Sequence, residues 1–175
     1  MVHSVELLFD SETDAEVRHL WDDLTDVGVR SLASSTSPSN RPHVTLTVAE
    51  HMDDAVDDAL RPVLRRLPLA CSIGAPMLFG RGPFTLVRLV IPSAELLALQ
   101  AQVHVACLPH MAPAGPLPHA QPGHWTPHVT LARRVAKDKL ADALSLRRMT
   151  RDQRATAVGL RHWDGNNRVE HSIER

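Results

Sequence analysis

"RPHVTLTVAE" runs from Arg41 to Glu50, and "WTPHVTLARR" runs from Trp125 to Arg134. Both contain Pro-His-Val-Thr-Leu, with His43 and His128 separated by 85 positions, close to half of the 175-residue chain. The elements around the two copies match in order: strand or strand pair, helix, irregular connection, motif strand, and a helix containing Asp-Ala-Leu (Asp58 to Leu60 and Asp142 to Leu144). This is the pattern of an internal duplication. A unit of half this length buries too little surface to stand alone, so its two copies should pack on one another. The expected fold is α+β, a bilobal pseudo-two-fold duplication with two antiparallel sheets lining a central cleft and helices on the outer faces. Residues 1–175 then form one domain.

Working outward, residues 2–9 read as a strand. The helix that follows carries Val17, Leu20, Trp21, Leu24 and Val27 on one stripe and opens with a capping box of Ser11 and Asp14. A second helix is expected over 53–66 with a kink at Pro62. "LACSIGAPMLFG" and "FTLVRLVI" read as paired strands around "RGP", followed by a helix over 93–108. Residues 109–127 hold six of the thirteen prolines, which excludes helix and central strand. This long loop is either a lid over the cleft or disordered. A helix over 137–148 and two closing strands, "ATAVGLRHW" and "RVEHSIE", complete the chain.

With 19 basic and 20 acidic residues there is no surplus charge for gripping a long polyanion, which leaves a small ligand or a local patch. Glu6 and Asp10 come too early for a signal peptide, and no stretch reaches the roughly 18 uncharged apolar residues of a spanning helix. A soluble, cytoplasmic protein with no membrane association and no obligate protein partner is expected. Cys71 and Cys107 lack any CxxC spacing and read as two buried free thiols.

Alternation along the motif strands puts His43, Thr45 and Thr47 on one face and Val44, Leu46 and Val48 on the other; His128 and Thr130 likewise oppose Val129 and Leu131. Each strand thus presents an imidazole and a hydroxyl about 7 Å apart on a face that packing alone would fill with aliphatics. A two-fold relation would set two such pairs across one cleft. Two histidines on opposite sides of one atom suit acid-base displacement, one taking a proton from the nucleophile and the other protonating the leaving oxygen. Threonine hydroxyls can donate to the nonbridging oxygens of a phosphoryl group. No step of this scheme requires a metal or other cofactor.

At these residues the chain resembles the 2H phosphoesterase superfamily, named for two His-x-Thr/Ser-x motifs, here "HVTL" at His43 and at His128. Within it, the chain is similar to the 2′-5′ RNA ligase-like, RNA 2′,3′-cyclic phosphodiesterase branch. The resemblance implies that His43 is the general acid, that His128 activates water, and that Thr45 and Thr130 hold the phosphate of a nucleotide or RNA end. It implies hydrolysis of a 2′,3′-cyclic phosphate, possible 2′-5′ ligation as the reverse chemistry, or, in a different class, a nucleotide-binding module that kept the cleft without the reaction. An arginine five positions after the second motif histidine occurs in that branch, and Arg133 stands there. Strict alternation puts Arg133 on the core face, so a phosphate contact needs a bulge or twist before it; otherwise it is a solvent-exposed strand end. The opening strand "VELLFD" lacks the arginine that often begins it in the RNA-processing branch.

Trp125 either stacks a nucleobase or pins the proline-rich loop to the body. Phe9, Phe84 and Trp21 read as core. Histidines 104, 110, 119 and 124 lack the fixed spacing of a zinc site, so no metal is assigned.

Overall fold

The computed structural model describes residues 2–111 and 113–174. Strand β1 (His3–Phe9) leads into α1 (Ser11–Asp26), whose stripe of Val17, Leu20, Trp21 and Leu24 is buried. The helix is capped one residue before the expected box: Asp10 has extended backbone, and its carboxylate accepts from the Thr13 amide at 2.8 Å. After β2 (His43–Ala49), the expected 53–66 helix divides into α2 (Val56–Leu60) and a 3₁₀ stretch, Arg61–Arg66. Pro62 supplies no amide hydrogen there, and the chain tightens into the shorter-range pattern. Strands β3 (Leu69–Phe79) and β4 (Phe84–Val90) precede α3 (Ala94–Cys107), which is capped by the Ser93 hydroxyl. Beyond β5 (His128–Val135), the helix expected over 137–148 is broken at Leu146, whose extended backbone separates α4 (Leu140–Ser145) from α5 (Arg147–Thr150). Strands β6 (Gln153–Asp164) and β7 (Val169–Ile173) close the chain.

All strand pairings are antiparallel and join into one seven-stranded sheet in the order β1-β2-β5-β4-β3-β6-β7, where two sheets were expected. The physical reason is the length of β6. Its first residues, 153–157, pair with β3, while 157–164 pair with β1 and 160–164 with β7, so one strand belongs to both halves. At the other junction β2 and β5 touch at a single register pair, Val44 opposite Val129. Helix α1 packs against β1, β5 and β6, and α3 packs against β2 and β3, so the apolar face of the sheet is covered by helices. Cys107 is buried but Cys71 is only half-buried; desolvation pushes their thiols up to about 12 and about 11. No helix among the described residues is long and apolar enough to cross a membrane.

Both motif strands bulge at the same place. Val5 pairs with Thr47 and Glu6 with Thr45, leaving Leu46 as the extra residue of β2. Val87 pairs with Thr130 and Leu86 with Ala132, leaving Leu131 as the extra residue of β5. Each bulge inverts the alternation beyond it. Thr47, expected beside His43, is fully buried with its hydroxyl unpartnered among the described residues, and Val48 turns to the opposite face.

Arg88 on β4 is buried and ties this half of the sheet together through main-chain acceptors. Its guanidinium donates to the carbonyls of Gly74 (2.8 Å), Ile73 (3.1 Å), Arg148 (2.9 Å) and Arg151 (2.6 Å), joining the irregular part of β3 to the end of α5. Arg88→Met should strand these acceptors and lower the unfolding free energy by about 3 kcal/mol or more, read from urea denaturation followed by circular dichroism.

Candidate active site

Both motif histidines are aimed by the same main-chain device. His43 Nδ1 lies 2.7 Å from the Arg41 carbonyl, and His128 Nδ1 lies 2.7 Å from the Thr126 carbonyl. A carbonyl can only accept, so the hydrogen sits on Nδ1 in each ring and Nε2 is left for chemistry. In each case a proline, Pro42 or Pro127, stands between the accepting carbonyl and the histidine.

The two rings line one cavity of about 750 Å³. Thr45 and Arg133 line it as well. Arg133 reaches it because the Leu131 bulge inverts the strand, so the requirement set by alternation is met. Its counterpart five residues after His43 is Val48, turned into the same cavity by the Leu46 bulge. Thr130 is half-buried on β5 and is not among the cavity-lining residues. Antiparallel pairing around Val44 and Val129 sets it opposite His43, and sets Thr45 opposite His128.

Trp125 pins the proline-rich loop, one of the two uses expected of it. Its indole nitrogen donates to the Thr45 carbonyl at 2.8 Å, anchoring the loop, while its half-buried ring faces the cavity. Trp21, a core residue of α1, makes the corresponding bond to the Thr130 carbonyl at 3.3 Å. The proline-rich loop runs along β2 as a wall: the Leu117 amide donates to the Val48 carbonyl at 2.8 Å, and the Gln100 side chain donates to the Ala120 carbonyl at 2.9 Å. It brings His119 and His124 to the cavity, whereas His104 lies on α3 and His110 pairs with Asp53 at 2.9 Å. Phe9 is core and Phe84 half-buried.

The electrostatic surroundings of the two histidines differ. His43 Nε2 is 3.7 Å from the Glu6 carboxylate, which is buried between Arg161 (2.6 Å) and the Ser4 hydroxyl (2.8 Å). Burial alone would push the Glu6 carboxyl up, but His43, Arg161 and Ser4 outweigh it and hold the group below its ordinary value. His128 is held low first by burial, opposed by its bond to Thr126, and then by its neighbours His43, Arg133 and His119. Phe79 meets its ring edge-on at 4.9 Å between centroids.

Glu6 and Arg161 were not singled out from the sequence. Glu6 interrupts the apolar run of β1, which was the available signal, and the two are cross-strand partners. Arg161 also binds Glu170 and the Ser39 carbonyl, fixing the loop that forms the far wall. Glu6→Gln should destabilise the protein by about 3 kcal/mol at neutral pH, because it leaves a buried guanidinium partly uncompensated. Glu6 has a depressed folded pKa, so its contribution is present above the unfolded carboxyl value and is lost as pH falls through the folded one. The gap between wild type and variant, measured by thermal unfolding, should therefore close on acidification.

The fold resembles solved structures of low sequence identity. TT0787 of Thermus thermophilus superposes with a TM-score of 0.62 at 14% identity, covering 99% of this chain and 96% of that one. Kluyveromyces marxianus Usb1 with uridine monophosphate gives 0.53 at 11%, covering 99% and 98%, and a phosphoesterase gives 0.56 at 14%, covering 98% and 92%. A comparison with curated protein sequences gave no match. Residues 9–167 match the 2′-5′ RNA ligase superfamily, a span that includes both motifs and the whole of strands β2 to β6. The chain belongs to the 2′-5′ RNA ligase superfamily, the group of 2H phosphoesterases that its two HVTL motifs resemble.

Proposed function

We propose that this protein is a metal-independent phosphodiesterase that opens the 2′,3′-cyclic phosphate of a nucleotide or RNA end. The observation that carries the reading is the pair of imidazoles in one cavity, each with Nδ1 committed to a carbonyl and Nε2 free, in unlike surroundings. His128, held low, is the base: its Nε2 takes a proton from water as the water oxygen bonds to phosphorus. His43, beside the Glu6 carboxylate, is the acid: its Nε2 proton goes to the departing ribose oxygen as the bond from phosphorus to that oxygen breaks. The product is a phosphomonoester next to a free hydroxyl. Thr45 and Arg133 hold nonbridging oxygens, and Thr130 assists from its position opposite His43. With the 5′-hydroxyl of a second RNA end as nucleophile in place of water and the 3′ oxygen as the departing group, the same two histidines would join RNA ends through a 2′-5′ bond.

We read the sheet as two halves related by a pseudo-two-fold axis passing between Val44 and Val129, together making one domain. Equivalent bulges and equivalent imidazole bonds support this reading. A cytoplasmic setting fits the reaction and belongs to the same proposal.

Incubation with a 2′,3′-cyclic mononucleotide followed by phosphorus NMR tests the reaction. A monoester signal should appear and persist with chelator, and His43→Ala and His128→Ala should each slow it by about 10²-fold or more. Binding without consumption of substrate would instead mark a nucleotide-binding module. The kcat/KM profile should be bell-shaped, with its acid limb below the ordinary histidine value because His128 stays unprotonated further into acid. Arg133→Ala removes a positive neighbour and should move that limb upward.

A further inference from the structure

The cleft does not end at the histidines. A second cavity of about 1250 Å³ opens from it, and the two share Ser35, Ser37, Ser39 and Trp163, so they form one trough. One wall is the connection before β2, which contributes five hydroxyl side chains between Ser34 and Ser39. The other is the turn between β6 and β7, which contributes Arg168. This turn is built rather than slack: the Asp164 carboxylate accepts from the amides of Asn166 (2.8 Å) and Asn167 (3.0 Å) and from the Asn167 side chain (2.7 Å). Arg168 is held there at φ 60°, in the left-handed region that a long side chain rarely adopts.

Two groups in the trough are uncommitted. The acidic Glu170 is matched by Arg41 at 3.2 Å and by Arg161, whereas Arg168 is exposed and has no ion pair among the described residues. Trp163 is half-buried, and its indole N–H has no partner among the described residues. An accessible π-face, a free guanidinium and a row of hydroxyls are what a single-stranded nucleic acid uses: stacking for a base, a cation for a phosphate, hydroxyls for sugar and phosphate oxygens.

Substrate chemistry fixes the direction. In a 2′,3′-cyclic phosphate both ribose oxygens are consumed by the ring, so a longer chain can leave the terminal nucleotide only through its 5′ oxygen. We propose that the trough receives the nucleotide on that 5′ side, with its base on Trp163 and the linking phosphate at Arg168, so that the preferred substrate is a single-stranded RNA end rather than a free cyclic nucleotide. This rests on the reading of the cleft given above. The near-zero net charge of the chain agrees with a footprint of one or two nucleotides, not a long track.

The test compares a trinucleotide ending in a 2′,3′-cyclic phosphate with the corresponding cyclic mononucleotide. In parallel, binding of a 3′-phosphorylated trinucleotide and of a 3′-mononucleotide is measured by fluorescence anisotropy of a 5′-labelled ligand. Stacking one base is worth about tenfold or more. Wild type should therefore favour the trinucleotide by about that factor in both kcat/KM and affinity, and the ratio should fall towards one in Trp163→Ala and in Arg168→Ala. Equal treatment of the two lengths by wild type, or a preference that survives both substitutions, overturns the proposal. If neither ligand is hydrolysed but the affinity ratio holds and responds to the substitutions, the trough stands and the phosphodiesterase reading falls. Mononucleotide hydrolysis without a length preference does the reverse: the phosphodiesterase reading stands and the trough falls.

Discussion

The site depends on one contact between strands. β2 and β5 meet at Val44 and Val129, the residues directly after the two motif histidines, and they meet antiparallel. An antiparallel pair is locally two-fold by construction, so a residue on one strand and its equivalent on the other reach the same side of the junction. The duplicated motif becomes a single site through this backbone pairing. The long β6 performs the complementary task at the opposite junction, keeping the halves in one hydrogen-bonded sheet and giving the cleft a continuous floor.

Symmetry of the backbone is paired with asymmetry of charge. Equivalent positions carry Val48 in one half and Arg133 in the other, and Glu6 stands only beside His43. Two identical imidazoles held by identical bonds would be chemically alike. Their neighbours make them unlike: a buried carboxylate on one side, and burial beside Arg133 on the other. Because Glu6 is itself clasped by Arg161 and Ser4, this charge is held in place rather than free to swing across the cavity.

Much of this was legible in the sequence because it rests on local rules. Periodicity located the strands and α1, proline marked a break at Pro62 and an irregular connection over 109–127, and alternation showed that Arg133 needs a bulge or twist to reach the cleft. What was missed depends on distant partners. The extra residue at Leu46, which buries Thr47 and turns Val48 to the cavity, follows from pairing with β1 and has no glycine or proline to announce it. The merging of two expected sheets follows from how far β6 extends past each neighbour, which composition does not encode. Glu6 and Arg161 lie 155 residues apart and become intelligible only as cross-strand neighbours. Asp10 escaped for a smaller reason, since it is the single residue between β1 and α1.

The bond from each imidazole to the carbonyl two residues before it has a consequence for how the family can diversify. A carbonyl is present whatever side chain Arg41 or Thr126 carries, so aiming the ring demands nothing of those identities. Only the path of the chain matters, and Pro42 and Pro127 fix it by locking their own φ angles. Side chains bordering the cavity are thereby released to vary while the rings keep their bearing.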